Sequence, residues 1–263
     1  MRANLTACLA LFERDLSAIR RSRSQVYSSV FTPLLLLIFL GTGVSRGLQP
    51  SSLPAGNFTA YLVPGVVVMT AVFAATFASA SYYRDRDSGV LRMLLSSPAS
   101  SRTVLLGKSL AGVTLGTVQA FAVLVIAAPF VDFEWQHGLL AGVLMSVATI
   151  VLLNLVLAGV AQALASRIET MQGFHLLMNL VLFPLLFFSG AFFPVENLPV
   201  WLEVLARINP LSYAVDALLL AAYADSSTGF FGLTIDFAVL GGLAVVVYAL
   251  GFARMPRLTW SGK

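Results

Sequence analysis

Ser24-Gln-Val-Tyr-Ser-Ser-Val-Phe-Thr-Pro-Leu-Leu-Leu-Leu-Ile-Phe-Leu-Gly-Thr-Gly-Val-Ser45 carries no charged side chain, and an arginine stands at each end of it, Arg23 and Arg46. A helix rising 1.5 Å per residue needs about 20 apolar residues to cross a hydrocarbon core of about 30 Å. Further uncharged windows follow at 47–83, 109–131, 135–166, 170–195 and 237–253. Within the first of these the crossing is expected after the turn-rich residues 49–56. The windows place six spans at about 27–45, 60–83, 107–131, 138–166, 171–191 and 233–254. Composition agrees: 58% of the 263 residues are hydrophobic and 11% charged, against roughly 45–50% and about 25% in soluble domains. Mean hydropathy is +0.88. A soluble enzyme, a disordered chain and a secreted disulfide scaffold are excluded, since Cys8 has no second cysteine to pair with. The expected fold class is an all-α polytopic membrane protein.

Charge sets the orientation. With the N-terminus cytoplasmic, every one of the sixteen basic residues except Arg46 and Arg207 falls inside, as the positive-inside rule requires. Asp132, Glu134, Glu196, Glu203, Asp216, Asp225 and Asp236 fall outside. Both termini are therefore expected in the cytoplasm, with a short tail at 256–263. The pI near 9.5 reads as topology, and nucleic acid is not an expected partner. Arg20-Arg21 before an apolar run has the look of a twin-arginine signal, but no small-residue cleavage site follows, and the run reads as an uncleaved first span.

Three stretches are not spans. In residues 1–25, Leu5, Leu9, Phe12, Leu16 and Ile19 recur at helical spacing, with Glu13, Arg14, Arg20 and Arg21 mostly on the other face. That is an amphipathic helix along the cytoplasmic surface, either an anchor in membrane lipid or a partner contact around Phe12, Glu13, Arg14 and Asp15. The cytoplasmic loop Arg84-Asp-Arg-Asp-Ser-Gly-Val-Leu-Arg-Met-Leu-Leu-Ser-Ser-Pro98 predicts a short helix at about 87–97, capped by Asp87 or Ser88. Its apolar stripe is Leu91, Leu94 and Leu95, and Ser100 or Ser101 starts the next helix. A helix this short needs a surface to rest on. On the outer side, Pro194, Pro199 and Pro210 divide residues 192–224 into hairpins with two short helices, near 199–208 and 211–222. The second, with Asp216 inside it, is too short to cross and suits a re-entrant element. Gly112-x-x-x-Gly116 and Gly138-x-x-x-Gly142 permit close helix approach.

An ion-coupled carrier needs ionisable groups within its spans, and each carboxylate here sits at a span end or in a loop. His175 and His137 lie near span ends and read as interface residues; two histidines do not make a metal site. No Ser has a convincing base beside it. No Gly-x-x-x-x-Gly-Lys-Ser/Thr loop occurs, so this chain does not bind ATP that way, and no cofactor is expected in it.

The loop of residues 84–98, followed by Leu106-Gly-Lys108, resembles the coupling-helix region of bacterial ABC-2 type permeases. So do Ser189-Gly-Ala-Phe-Phe-Pro194, Leu198-Pro-Val-Trp201, Asn209-Pro-Leu-Ser-Tyr213 and Asp216-Ala-Leu218 on the outer side. The resemblance is nearest to the daunorubicin-type and lipooligosaccharide exporters. It implies a six-span domain over 26–255 in a bacterial inner membrane, a homodimer, and two copies of a separate ATPase that binds ATP and Mg. It implies that Arg84, Asp85, Arg86, Asp87, Ser88, Gly89, Leu91, Arg92, Met93, Leu94, Leu95 and Ser97 couple to that ATPase. Phe192, Phe193, Pro194, Trp201, Asn209, Pro210, Tyr213 and Asp216 would shape the external gate, and Phe73, Phe77 and Phe121 a path for a drug, lipid or lipid-linked glycan. The sequence departs from the family at Arg92, a position often acidic, and at Leu219, where a basic residue is common. The alternative readings are a stand-alone channel or ion-coupled carrier, and a membrane enzyme acting on lipid.

Overall fold

The computed structural model describes residues 2–21, 23–44, 57–95, 100–131, 133–135, 138–165, 167–195, 199–223 and 229–253. Among these residues all regular structure is helical. The elements are α1 (Arg2–Arg21), α2 (Arg23–Val44), α3 (Phe58–Ala78), α4 (Ala80–Asp87), α5 (Val90–Leu95), α6 (Ser101–Ala127), α7 (Leu139–Ala165), α8 (Met171–Phe187), α9 (Val200–Ile208), α10 (Pro210–Ala222) and α11 (Leu233–Ala253). A 3-10 turn, Ala128–Phe130, extends α6.

Helix starts follow local chemistry, because the first N–H groups of a helix need an acceptor outside it. Asn57, Ser100, Thr170 and Asn209 supply side-chain oxygens to the N–H groups of Thr59, Thr103, Gly173 and Leu211. The start at Ser100 is as read from the sequence. Ser88 is not the cap of the short helix: its hydroxyl donates to the Arg84 carbonyl at 2.7 Å and closes α4. Gly89 then turns at φ 75°, a backbone region open to glycine, and α5 begins at Val90. Over its described residues, 87–95, the expected 87–97 helix is the end of α4, a glycine turn and the helix Val90–Leu95. Ser97 lies outside the described residues.

Helix α3 is the axis of the bundle, buried almost continuously from Phe58 to Thr76. It packs against α2, α6, α7, α8 and α10. Small residues allow this: a Cβ at Gly65 would overlap the Ala191 carbonyl, and one at Gly116 on α6 would overlap the Asn154 side-chain oxygen on α7. Among the described residues four helical segments are long and apolar enough to cross a membrane: Phe58–Asp87, Leu106–Phe130, Leu139–Ala165 and Leu233–Gly251. The pair α9 and α10, bent by 86°, would make a fifth if counted as one broken span. The apolar helices Tyr27–Gly43 and Met171–Phe187 are shorter. The chain is a multi-pass membrane protein.

Two readings are refined. The two outer helices form where expected, but α10 is core: from Leu211 to Ala222 only Tyr213 is not buried, and α10 packs on α3, α7 and α11. Helix α1 leaves Leu9 of its apolar stripe 52% exposed. Cys8, Leu11 and Asp15, about a quarter-turn around the helix, face α6 instead. A Cβ at Gly107 would come within 2.9 Å of the Cys8 carbonyl and 3.0 Å of the Leu11 Cβ. The missing side chain at Gly107 and the charge of Lys108 beside it select this face.

Candidate functional site: a charge cluster joining α1, α4 and α6

Lys108 follows Gly107 on α6 and is buried. Its Nζ meets Asp15 Oδ2 of α1 at 2.9 Å and Asp85 Oδ2 of α4 at 2.5 Å. Arg14 closes the ring, with Nη2 at 2.7 Å from Asp15 Oδ1 and a direct ion pair to Asp85. Ser81 Oγ of α4 adds a long contact of 3.5 Å to Asp15. Two cations and two carboxylates balance, which is what makes burial of Asp15 and Lys108 tolerable. Burial by itself would lower the Arg14 pKa, but Asp15 and Asp85 outweigh it and raise it, so Arg14 stays a cation throughout. A buried ion cluster stabilises little against an apolar substitute, yet it is severe about geometry, because each charge left alone is costly. Three helices distant in sequence are held in one register.

The same α4 is fastened on its other side. Arg86 Nη1 donates to the Ile168 carbonyl at 3.1 Å, and the Tyr83 hydroxyl lies 3.4 Å from the carbonyls of Ala165 and Ile168. These carbonyls end α7, where free C=O groups need donors. Residues 83–86 thus join α1, α6 and the α7–α8 connection. Beyond them α5 projects, with Met93 66% exposed and Leu91 and Leu94 half-buried. Arg84, Asp87, Ser88 and Gly89 are exposed; Arg92 and Leu95 are placed on α5 by the backbone alone. Of the expected N-terminal residues, Arg14 and Asp15 enter the cluster, Phe12 is half-buried and Glu13 is exposed.

At the other end of α3 the expected gate residues form a locked corner. Asn209 caps α10 and donates Nδ2 to the Leu185 carbonyl at 2.5 Å, and Pro210 is the first residue of the helix. The Tyr213 hydroxyl donates to the Arg207 carbonyl at 2.6 Å, and its ring stacks on Phe231 at 4.2 Å. Asp216 accepts the N–H groups of Phe230, Phe231 and Gly232 at 2.7, 2.8 and 3.2 Å. The Tyr61 hydroxyl of α3 donates to the Gly190 carbonyl, and Tyr223 donates to the Ala60 carbonyl at 2.8 Å. Phe192 is buried and Pro194 half-buried, whereas Phe193 and Trp201 are each 62% exposed. Of the expected path residues, Phe73 packs edge-on to Phe183, Phe77 lies 6.4 Å from His175, and Phe121 packs on the core.

In the sequence Lys108 is one of the inside basic residues and the end of Leu106-Gly-Lys108, with no site role of its own. The signal was there: a lysine well inside a helix start, flanked by Gly107 and the uncharged window of 109–131. Tyr83, the last residue of the expected 60–83 span, and Asp236, expected as an outer-side charge, are both buried.

The helical bundle, the loop helix and the capped outer corner can be set beside known proteins. Nodulation protein J of Rhizobium meliloti is 26% identical over 213 residues, 80% of this chain and 79% of that protein. The probable multidrug ABC transporter permease YbhR of Escherichia coli (strain K12) is 29% identical over 164 residues, 62% of this chain and 44% of its own length. This chain therefore spans less than half of that relative. The putative transport permease ycf38 of Porphyra purpurea is 29% identical over 212 residues, 80% of this chain and 71% of that protein. The profile of the ABC-2 type transporters matches residues 6–223, from α1 through the end of α10. The chain belongs to the ABC-2 type transporter family.

Proposed function

We propose that this chain is the membrane-spanning permease subunit of an exporter driven by a separate ATP-binding-cassette ATPase. Two copies of the chain, each with six spans and both termini in the cytoplasm of a bacterial inner membrane, work with two ATPase subunits that bind ATP and Mg. The cargo is an amphipathic or hydrophobic molecule: a drug, a lipid or a lipid-linked glycan. Phe73, Phe77 and Phe121 are half-buried, which leaves part of each ring accessible. Met93 on α5 is the apolar side chain offered outward for docking, and burial in a partner groove is what stabilises so short a helix.

The observation that carries this reading is the charge cluster of Arg14, Asp15, Asp85 and Lys108. It joins the helix leading into α5 to both the N-terminal helix and α6, so a displacement of α5 by a partner reaches α6 without slack. The test is co-purification with the ATPase from membranes. Met93→Asp and Leu94→Asp should each lose the ATPase while the permease still inserts. Val200→Asp, at the exposed start of α9, should keep it. Full ATPase association by both α5 variants would overturn the docking role.

A further inference from the structure

Ser212, in the first turns of α10, is 3% exposed, and its Oγ finds no hydrogen-bond partner among the described residues. A buried hydroxyl left without a partner is costly, the more so in a bundle that sits in a membrane. Ser212 lines a half-open cavity of about 30 Å3 beside the α9–α10 corner. Three further polar side chains form its floor, those of Tyr61, Ser189 and Asp216, which are 2%, 1% and 4% exposed. The half-buried Pro194, Val195, Phe230 and Phe231 form its mouth.

The bonds of the floor can be counted. The Tyr61 hydroxyl donates to the Gly190 carbonyl. Ser189 Oγ donates to the Leu186 carbonyl at 2.7 Å and accepts the Ala191 N–H at 3.3 Å. A hydroxyl oxygen has two acceptor sites, so Ser189 can accept once more. Asp216 takes the N–H groups of Phe230, Phe231 and Gly232, and a carboxylate offers about four acceptor sites, so it can also accept once more. Ser212 stands one helical turn before Asp216 on the same face of α10, yet its hydroxyl does not reach that carboxylate. A water molecule needs two to four polar partners and roughly 10–15 Å3 of such space. The cavity therefore admits water and excludes a drug-sized molecule, whose pockets run to about 300–1,000 Å3.

We propose that a resident water molecule occupies this cavity, accepting the Ser212 hydroxyl hydrogen and donating to Asp216 and Ser189. Three bonds satisfy the water, and the orphan hydroxyl gains its acceptor. The bridge fastens α10 to the turn that follows α8, beside the direct bonds of Asn209 to Leu185 and of Tyr61 to Gly190. A bridging water is nearly as favourable in enthalpy as a direct bond. It differs in how it breaks, because solvent entering by the mouth can satisfy both sides. The α9–α10 corner can thus part from the turn without stranding a buried polar group. The bridge lies at the opposite end of α3 from the charge cluster and is independent of what docks on α5.

X-ray hydroxyl-radical footprinting of the full chain in lipid nanodiscs, read by mass spectrometry, tests for the water, because radicals formed from a bound water oxidise the side chains beside it. Tyr61 and Tyr223 make the comparison. They are 2% and 5% exposed, and both sit at this end of α3 with the hydroxyl donated to a backbone carbonyl. Tyr61 lines the cavity and Tyr223 does not. Tyr61 should be oxidised several-fold faster than Tyr223. Ser212→Ala removes the anchor and should bring Tyr61 down to the rate of Tyr223, while Ser212→Thr, which keeps a hydroxyl, should retain most of the difference. Should Ser212→Ala fail to accumulate, a high-resolution map of the native chain decides, with solvent density expected within hydrogen-bonding reach of both Ser212 Oγ and Asp216. Oxidation of Tyr61 no faster than Tyr223, the same excess in the native chain and Ser212→Ala, or a map without that density would overturn the water bridge.

Discussion

Replacing Lys108 by Met keeps a side chain of similar reach in the same slot but removes the ammonium that faces Asp15 at 2.9 Å and Asp85 at 2.5 Å. Arg14 must then serve two carboxylates alone, and it is the more exposed cation, with 37% of its side chain accessible against 3% for Lys108. Breaking a buried ion pair by removing one partner costs about 3–5 kcal/mol. Asp85 retains 15% exposure and can be partly rehydrated, which puts the expected cost near the lower end, about 3 kcal/mol. That energy holds α1 against α6, so its loss should raise the detached population of α1 by roughly a hundredfold. Limited trypsin digestion in detergent reads this, because α1 contains Arg14, Arg20 and Arg21 and cleavage follows the open population when closing is fast. Lys108→Met should be cut within α1 roughly a hundred times faster than the native chain. Combining it with Asp15→Asn leaves the neutral Arg14–Asp85 pair, and the double variant should recover by about 1 kcal/mol or more relative to additivity. A native cleavage rate in Lys108→Met, or strict additivity in the double variant, would refute the cluster as a mechanical joint.

Reporter fusions after Gly56, His137 or Ser226 should read as external, and those after Ser97, Glu169 or Lys263 as cytoplasmic; an external C-terminus would remove the six-span arrangement. Gly65→Val forces a side chain into the Ala191 backbone and should lower the thermal midpoint in detergent sharply, since backbone in a packed core gives way only at a cost of about 1–3 kcal/mol or more. Asn209→Ala deletes both the α10 cap and the bond to the Leu185 carbonyl and should cost about 1–2 kcal/mol in the same assay. Glu203→Gln, which breaks only an exposed i,i+4 pair with Arg207, should change it by less than about 1 kcal/mol.

Much of the architecture was legible in the chain as written. Charge-free windows are long-range signals that survive any packing, because lipid excludes charge wherever the helix happens to stand. The local start at Ser100 was legible too, since its side chain caps α6 through a bond that spans only three residues. The loop at 84–98 could be recognised as a unit, yet its division into α4, a glycine turn and α5 could not, because Ser88 was free to cap either neighbour. What decided between them was Asp85: drawn to Lys108 and Arg14, it holds α4 helical through Asp87, and Ser88 closes that helix.

The residues themselves settle that this chain crosses a membrane, where some of its helices begin, and which family motifs it carries. Only the tertiary structure decides which face of α1 meets α6, why Lys108 is buried, and that Asp216 takes the N–H groups of Phe230, Phe231 and Gly232. Those facts join Arg14 and Asp15 to Asp85 and Lys108, and α10 to the segment that leads into α11, across stretches of sequence. A charge within an apolar sequence announces its own cost, but the partner that offsets that cost is named only by the fold, since pairing depends on distance in space and not on position along the chain.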